Sequence, residues 1–407
     1  MTNTSVRQVE PLPDWLKLPT KVQHQFFEHA QQEAQRTKGL LLDQKQKLDK
    51  IREMLRFENA EQNDSWKEWR IAVVDGSDSP VLSERVGGRY GTFAAGYHIY
   101  KGLDLQEEDY FSGVYVDDQI GSNEASQKVL QLVTTELERR VAVECLDNKN
   151  VDLILIDGPF FGFRPRCRII ADKEVHYSKY RKGRDLVNML VALSQKLLDS
   201  GKVCGIVKRV QTAAIDGWTI YKTGNQKLAT RRNDKDLLAS FMKTGETFSY
   251  AEQFGSYDAY QYLSRMAWAF GQFYTTETGR SVQSIYDACK GDVQRNIKFD
   301  LGPKFDSERI LQTARVYLRA SYPSQPIALE SKPENDLLPV LAYCLATCNK
   351  ATGLPIALDL IDHDVGIPRG FTQEFIEEVE ANLARDPELD KFELETRFSS
   401  LNPQKQE

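Results

Sequence analysis

The sequence predicts an α/β fold, a mixed sheet flanked by helices, with a long N-terminal helix and insertions. Three observations carry that expectation. Two apolar runs, Ile71-Ala-Val-Val-Asp-Gly-Ser77 and Val151-Asp-Leu-Ile-Leu-Ile-Asp-Gly-Pro159, each end in Asp-Gly, as buried strands that turn at their C-terminal ends do. The elements between and after them alternate strand, hairpins, helix, strand, helix, strand, the order of a layered α/β domain. Ahead of them, Thr20 to Arg56 has the apolar spacing of one long helix.

The elements follow in order. Residues 1–19 are expected to be extended. Thr20-Lys-Val-Gln23 fits a capping box, and Val22, Phe26, Ala30, Ala34, Leu41, Leu48, Ile51 and Leu55 form a narrow apolar stripe, suited to a dimer arm or to packing on the chain's own domain. A strand is expected over 71–74, a turn over 87–91, and strands over 91–99 and 113–116 as an antiparallel meander. Leu130, Val133, Leu137, Val141 and Cys145 share one face of a helix over 124–145. Strands over 153–156, 203–207 and 314–318 and helices over 186–198, 237–243, 335–350 and 372–384 complete the expectation, with a frayed tail from about Asn402. The division expected is an N-terminal extension over 1–69, one α/β domain over 70–370, and a C-terminal helix and tail over 371–407.

Composition narrows the function. With 41% hydrophobic and 28% charged residues the chain is of globular type. It has no apolar run near the roughly 20 residues that span a bilayer, and Met1 to Pro13 lacks the apolar core of a signal peptide; a cytoplasmic location is expected. Six scattered cysteines form no CxxC and read as reduced thiols. GxGxxG and GxxxxGK[ST] are both missing, which argues against a nucleotide-driven motor within this chain. Net charge is −6, yet residues 164–232 hold 16 Lys or Arg against 5 Asp or Glu. A basic segment on an acidic protein suits a polyanion path.

Paired strand-end carboxylates suit a divalent metal that acts on phosphodiesters. A ribonuclease-H-like site takes three or four carboxylates from the first strand, a helix, a later strand and a C-terminal helix. Asp75 and Asp157 fill the strand positions. Glu136, Glu138 and Glu144 stand on the helix before Asp157, and Gly353-Leu-Pro-Ile-Ala-Leu-Asp-Leu-Ile-Asp-His-Asp364 offers Asp359, Asp362, His363 and Asp364. Such oxygen donors suit Mg2+ or Mn2+.

Five segments, in order, resemble the NurA family of DNA repair nucleases. They are Ala72-Val-Val-Asp-Gly-Ser77; Asp152-Leu-Ile-Leu-Ile-Asp-Gly158 with its preceding Glu-bearing helix; Gly205-Ile-Val-Lys-Arg209; Asn233-Asp-Lys-Asp-Leu-Leu238 with Gly245-Glu-Thr-Phe-Ser249; and Gly353-Leu-Pro355 through Asp362-His363. The resemblance spans about residues 70–370. In two places the chain departs from the family. Leu354 stands where the family has Tyr, and the family's His falls on Asp362, with His363 one place later. Either Asp362 replaces that His as a ligand or the segment slips by one. Among the helix glutamates the family's spacing to Ala142 favours Glu138, with Glu136 second.

The resemblance implies a ribonuclease-H-like fold and a homodimer around a central channel. It implies Mn2+-dependent exonuclease action on DNA ends and endonuclease action on single strands, beside a HerA-like hexameric ATPase translocase. Asp75, Glu138, Asp157, Asp362 and Lys208 would then be catalytic, the four carboxylates with His363 would hold metal, and Arg164, Arg166, Arg168, Arg181, Lys182, Arg184 and Arg209 would contact DNA phosphates. A catalytically impaired adaptor that binds DNA or a translocase, and a nuclease acting on RNA, are the alternatives.

Overall fold

The computed structural model describes residues 14–117, 123–178, 180–272, 280–302 and 305–401. The expectations of extended chain over 1–13 and of a frayed tail from Asn402 lie outside the described residues. Two compact units form, Met1–Leu55 and Arg56–Glu407. In the first, residues 14–17 make a 3-10 turn instead of the expected extended chain, followed by α1 (Thr20–Met54). The expected capping box is not made. Pro19 is the N-cap, so Thr20 is already helical, and Gln23 Nε2 instead donates back to the Leu18 carbonyl at 2.7 Å. Phe26, Phe27, Leu40, Leu41 and Leu42 of α1 are exposed. No helix among the described residues is long and apolar enough to cross a membrane.

The second unit is built on a ten-stranded sheet. Its strands are β1 (Glu58–Asn59), β2 (Arg70–Asp78), β3 (Ser83–Arg85), β4 (Gly88–Lys101), β5 (Asp104–Asp117), β6 (Leu153–Asp157), β9 (Val203–Val207), β10 (Glu246–Ser249), β11 (Ala314–Leu318) and β12 (Ile327–Ser331). A separate small hairpin pairs β7 (Glu174–Tyr177) with β8 (Tyr180–Lys182). The sheet runs β1-β10-β11-β12-β9-β6-β2-β4-β3, with β5 also paired to β4. Its central part, β5-β4-β2-β6-β9, is the ribonuclease-H-like order: an antiparallel meander through β2, β4 and β5, then β6 and β9 parallel to β2.

The helices are α2 (Asn123–Asn148), α3 (Arg164–Ile170), α4 (Gly183–Asp199), α5 (Ala214–Thr223), α6 (Asp234–Phe241), α7 (Tyr250–Phe254), α8 (Ala259–Gln272), α9 (Val282–Leu301), α10 (Ser307–Leu311), α11 (Leu338–Ala346), α12 (Ile356–Val365), α13 (Phe371–Leu383) and α14 (Lys391–Phe398). Several depart from expectation for local reasons. α6 starts earlier than expected because Asn233 caps it, accepting from the Asp236 amide at 2.9 Å. The helix expected over 335–350 shrinks to α11, since Asp336 Oδ1 accepts from the Leu338 amide before it and Cys348 bridges to Pro355 after it. β5 is far longer than the strand expected over 113–116. It pairs only with β4, so its charged first half faces water and shows no apolar alternation.

Side-chain alternation on the central strands sets the two faces. Ile71 and Val73 of β2 and Leu153 and Leu155 of β6 join one core with Val340, Leu341 and Cys344 of α11 and Leu358, Ile361 and Val365 of α12. Ala72, Val74, Ile154 and Ile156 join the opposite core with Val141, Ala142 and Cys145 of α2 and Leu197 and Leu198 of α4. Each fully buried Val, Ile or Leu stabilises by about 1.5–3 kcal/mol, so the register of β2 and β6 is firmly held. Asp75 and Asp157 have the parity of Ile71 and Leu153. Both therefore turn toward the α12 side.

Candidate active site

Three carboxylates meet where the sheet stops pairing. β2 runs on past Asp75 because its antiparallel partner β4 continues from Asp75↔Gly96 to Asp78↔Phe93. On the other side the parallel ladder to β6 ends at Val74↔Ile156. Asp75 thus stands inside a strand, but beside an open edge. Asp157 is the last residue of β6. Asp362 comes from α12. Ligand oxygens of Asp75, Asp157 and Asp362 all lie within 4.8 Å of one another.

The turn after Asp157 depends on two glycines. Gly158 has φ +83°, a left-handed conformation that suits glycine, and its amide donates to the Ile206 carbonyl at 2.8 Å. Directly beneath it, a Cβ on Gly205 of β9 would lie 2.5 Å from the Gly158 carbonyl oxygen. Gly205→Ala should therefore push this turn away, lowering stability by roughly 1–3 kcal/mol and displacing Asp157. A urea titration measures the first effect, and an unchanged midpoint would mean that the turn yields freely.

α12 spreads its polar side chains among four environments. Asp359 Oδ2 accepts from Asn349 Nδ2 at 2.6 Å and Thr352 Oγ1 at 2.7 Å, which ties down the helix start. Asp362 faces the carboxylate pair. His363 is exposed and does not join that group. Asp364 Oδ2 lies 3.3 Å from Nε2 of the buried His98 on β4. Just beyond the helix, the Ile367 amide donates to Ser77 Oγ at 3.3 Å, so the Ser of the Asp-Gly-Ser run tethers α12 to β2. Leu354 is a core residue of the α11–α12 face.

Lys208, following β9, places Nζ 3.2 Å from Asp157, 3.4 Å from Asp362 and 3.9 Å from Asp75. Burial by itself would push its ammonium pKa down, but the carboxylates of Asp157, Asp75 and Asp362 outweigh that and leave it raised. Burial, then Asp157, Glu138 and Asp362, push Asp75 far above the ordinary carboxylate range, against the pull of Lys208. Burial is also the main cause of the raised pKa of Asp157. Glu138 of α2 is pushed up to about 7, chiefly by burial, with Arg139 opposing and Asp157 adding to the rise. Glu136, two residues earlier, is turned elsewhere: it accepts from Tyr180 Oη at 2.7 Å and pairs with Arg140. Glu144 accepts from Asn148 on the surface.

Arg139 was not foreseen from the sequence. Its guanidinium donates to Glu138 Oε1 at 2.9 Å and to the Pro159 carbonyl at 3.1 Å, linking the helix carboxylate to the turn after Asp157. Glu330 was also missed. It accepts from the Phe160 amide at 2.9 Å and pairs with Arg315 at 2.6 Å within the core. Neither residue belongs to a recognisable spacing, so only the folded chain brings them to this turn.

No protein-family model matches the sequence, and no curated protein does. Solved structures do match. The NurA nuclease from Sulfolobus solfataricus aligns over 92% of this chain and 100% of its own, at 16% identity and a TM-score of 0.55. The chain has a NurA-like fold. Two other NurA structures align over 89% of this chain: one bound to dAMP and manganese, at 12% identity, 98% of its own length and a TM-score of 0.44, and another at 14% identity, 99% and 0.43.

On the NurA-like framework the donor set fits a hard divalent cation. It consists of carboxylate oxygens, and Asp75 Oδ2 is buried without a hydrogen-bond partner while Oδ1 accepts from the Gly76 amide at 2.7 Å. Protons must leave before such an ion can bind. Apparent affinity for such an ion should therefore rise with pH between about 6 and 9, as Glu138, near 7, and then Asp75, near 9, lose their protons. Calorimetric titration at both pH values tests this, and a flat affinity would place the bound ion away from Glu138 and Asp75.

The basic residues divide into two groups. Arg164 pairs with Asp300 at 3.2 Å, Arg168 stacks over Phe299 at 4.0 Å and Arg184 donates to the Leu301 carbonyl at 2.7 Å. All three thereby fasten α3 and α4 to the C-terminal end of α9. Arg181, Lys182 and Arg209 are exposed, and Arg166 is half-buried.

Proposed function

We propose that this protein is a metal-dependent DNA nuclease of the NurA type, acting as an exonuclease on DNA ends and as an endonuclease on single strands. The observation that carries this reading is the convergence of Asp75, Asp157 and Asp362 around a buried, unbonded carboxylate oxygen on a NurA-like sheet. The proposed nuclease region is residues 70–370; residues 56–69, which add β1 to its sheet, and residues 371–407, which carry α13 and α14, belong to the same compact unit. Asp75, Asp157 and Asp362 hold Mn2+ or Mg2+, with Glu138 completing the set. A bound divalent ion supplies the positive charge that neutralises the scissile phosphate. A carboxylate oxygen of Glu138 left off the ion would accept the proton of the attacking water. Lys208 brings a cation to the same point, suited to charge that develops on the leaving oxygen. It must yield part of its present contacts when a metal enters.

The partners of this reading are DNA, a second copy of the chain and a HerA-like hexameric ATPase translocase, in the cytoplasm. The exposed Phe26, Phe27, Leu40, Leu41 and Leu42 of α1 support a self-associating arm. The test is degradation of linear duplex and of circular single-stranded DNA by the purified protein, with Mn2+ and with a chelator. Cleavage of neither substrate with Mn2+ would leave the adaptor reading in its place.

The exposed basic residues of β8 should carry phosphate contacts. Replacing Arg181 and Lys182 together with Ala should weaken binding to all DNA sequences alike. The slope of log affinity against log salt should fall by up to about 2, since each released phosphate contact contributes about 0.9. An unchanged slope would mean that this pair faces only solvent.

A further inference from the structure

A cavity of about 850 Å3, large enough for a nucleotide, opens beside α5 and α8, apart from the carboxylate cluster. Its wall begins three residues after Lys208, at Gln211, which chain geometry holds within about 11 Å of Lys208. Its lining is basic and aromatic: Lys227, Arg231, Arg232 and Trp268 all contribute. Among the described residues the one acidic side chain in the lining, Asp216, is already engaged. It accepts from the Thr230 amide at 2.9 Å, Thr230 Oγ1 at 3.0 Å and the Arg231 amide at 2.7 Å.

Two features mark this cavity as built for a ligand. Arg231 has φ +59°, a conformation unusual for a side-chain-bearing residue, and the buried Asp216 holds it there. Trp268, 47% exposed, is braced by the Arg265 guanidinium 4.2 Å from its ring centroid, and Arg265 is fixed in turn by Asp292 at 3.0 Å. Among the described residues neither Lys227 nor Arg231 pairs with a carboxylate. A rigid indole beside cations with no carboxylate partners recognises a base and its phosphate.

We propose that this cavity receives an unpaired base, with its phosphate, from a single strand whose neighbouring phosphodiester lies at the carboxylate cluster. The assignment rests on the nuclease reading for the identity of that cluster. It makes single-stranded nucleic acid the preferred form at the site, because a base paired in a duplex cannot enter.

The test is fluorescence anisotropy of a labelled oligothymidylate and of a duplex of the same length, in chelator so that nothing is cleaved. Trp268→Ala should weaken oligothymidylate binding about tenfold and leave duplex binding unchanged, while Trp268→Phe keeps most of the affinity. Arg231→Ala should weaken the same binding and lower its salt slope by about 0.7. Wild-type affinity in Trp268→Ala, or equal losses for single strand and duplex, would overturn the proposal. If Trp268-dependent binding is found in a protein that never cleaves DNA with Mn2+, the nuclease reading fails and the base cavity stands.

Discussion

Asp75→Asn, and separately Asp157→Asn, should abolish metal-dependent cleavage while the fold holds. Outer-shell changes at metal sites already lower affinity or activity about 10–100-fold, so loss of an inner ligand should exceed a hundredfold. Stability should move the other way. The folded-state pKa of Asp75 is raised, by burial first and then by its acidic neighbours. Between the unfolded value, about 3.9, and that raised value, the folded protein binds more protons than the unfolded chain. The metal-free protein therefore loses stability as pH climbs above about 4. Asn carries no titrating proton and relieves the repulsion, so the metal-free Asp75→Asn protein should be the more stable one at neutral pH, with a flatter dependence on pH. Urea midpoints at several pH values, read beside cleavage rates in Mn2+, measure both effects. Wild-type cleavage by either variant would remove Asp75 and Asp157 from the site.

Asp362→Ala should remove metal affinity and activity together, and His363→Ala should do much less. Successive positions on a helix point about 100° apart, so the two side chains cannot both face the pair. Asp362 has its oxygen within the carboxylate group, whereas His363 stands exposed on α12. Calorimetric Mn2+ binding by the two variants separates them. Greater damage from His363→Ala would mean that the helix turns in the metal-bound protein; no effect from either would leave a site built from Asp75, Asp157 and Glu138.

The basic stretch from Arg164 to Arg184 is a case in which charge counting and structure part company. As sequence, it is one run of cations suited to phosphate. Folded, Arg164, Arg168 and Arg184 are drawn to Asp300, Phe299 and the Leu301 carbonyl. Nothing local signals this, because their partners lie more than a hundred residues away. The exposed Arg181 and Lys182 keep the charge that such a count promises.

What the sequence by itself determined is the layered frame. The runs that became β2, β6 and β9 have apolar cores, so burial specifies them, and the Asp-Gly pairs of the first two mark where carboxylates leave the sheet. The tertiary structure decided what periodicity cannot encode. It extended β2 past Asp75, because β4 continues to pair after β6 has stopped. It turned Glu138 rather than Glu136 toward the strand carboxylates, because Tyr180 and Arg140 hold Glu136. It brought Asp362 to the carboxylate pair from nearly three hundred residues beyond Asp75, through apolar packing of α12 on the core beneath it. Helix and strand patterns record which face is buried. They do not record which distant group will share that face, and the chemistry of this site depends on that sharing.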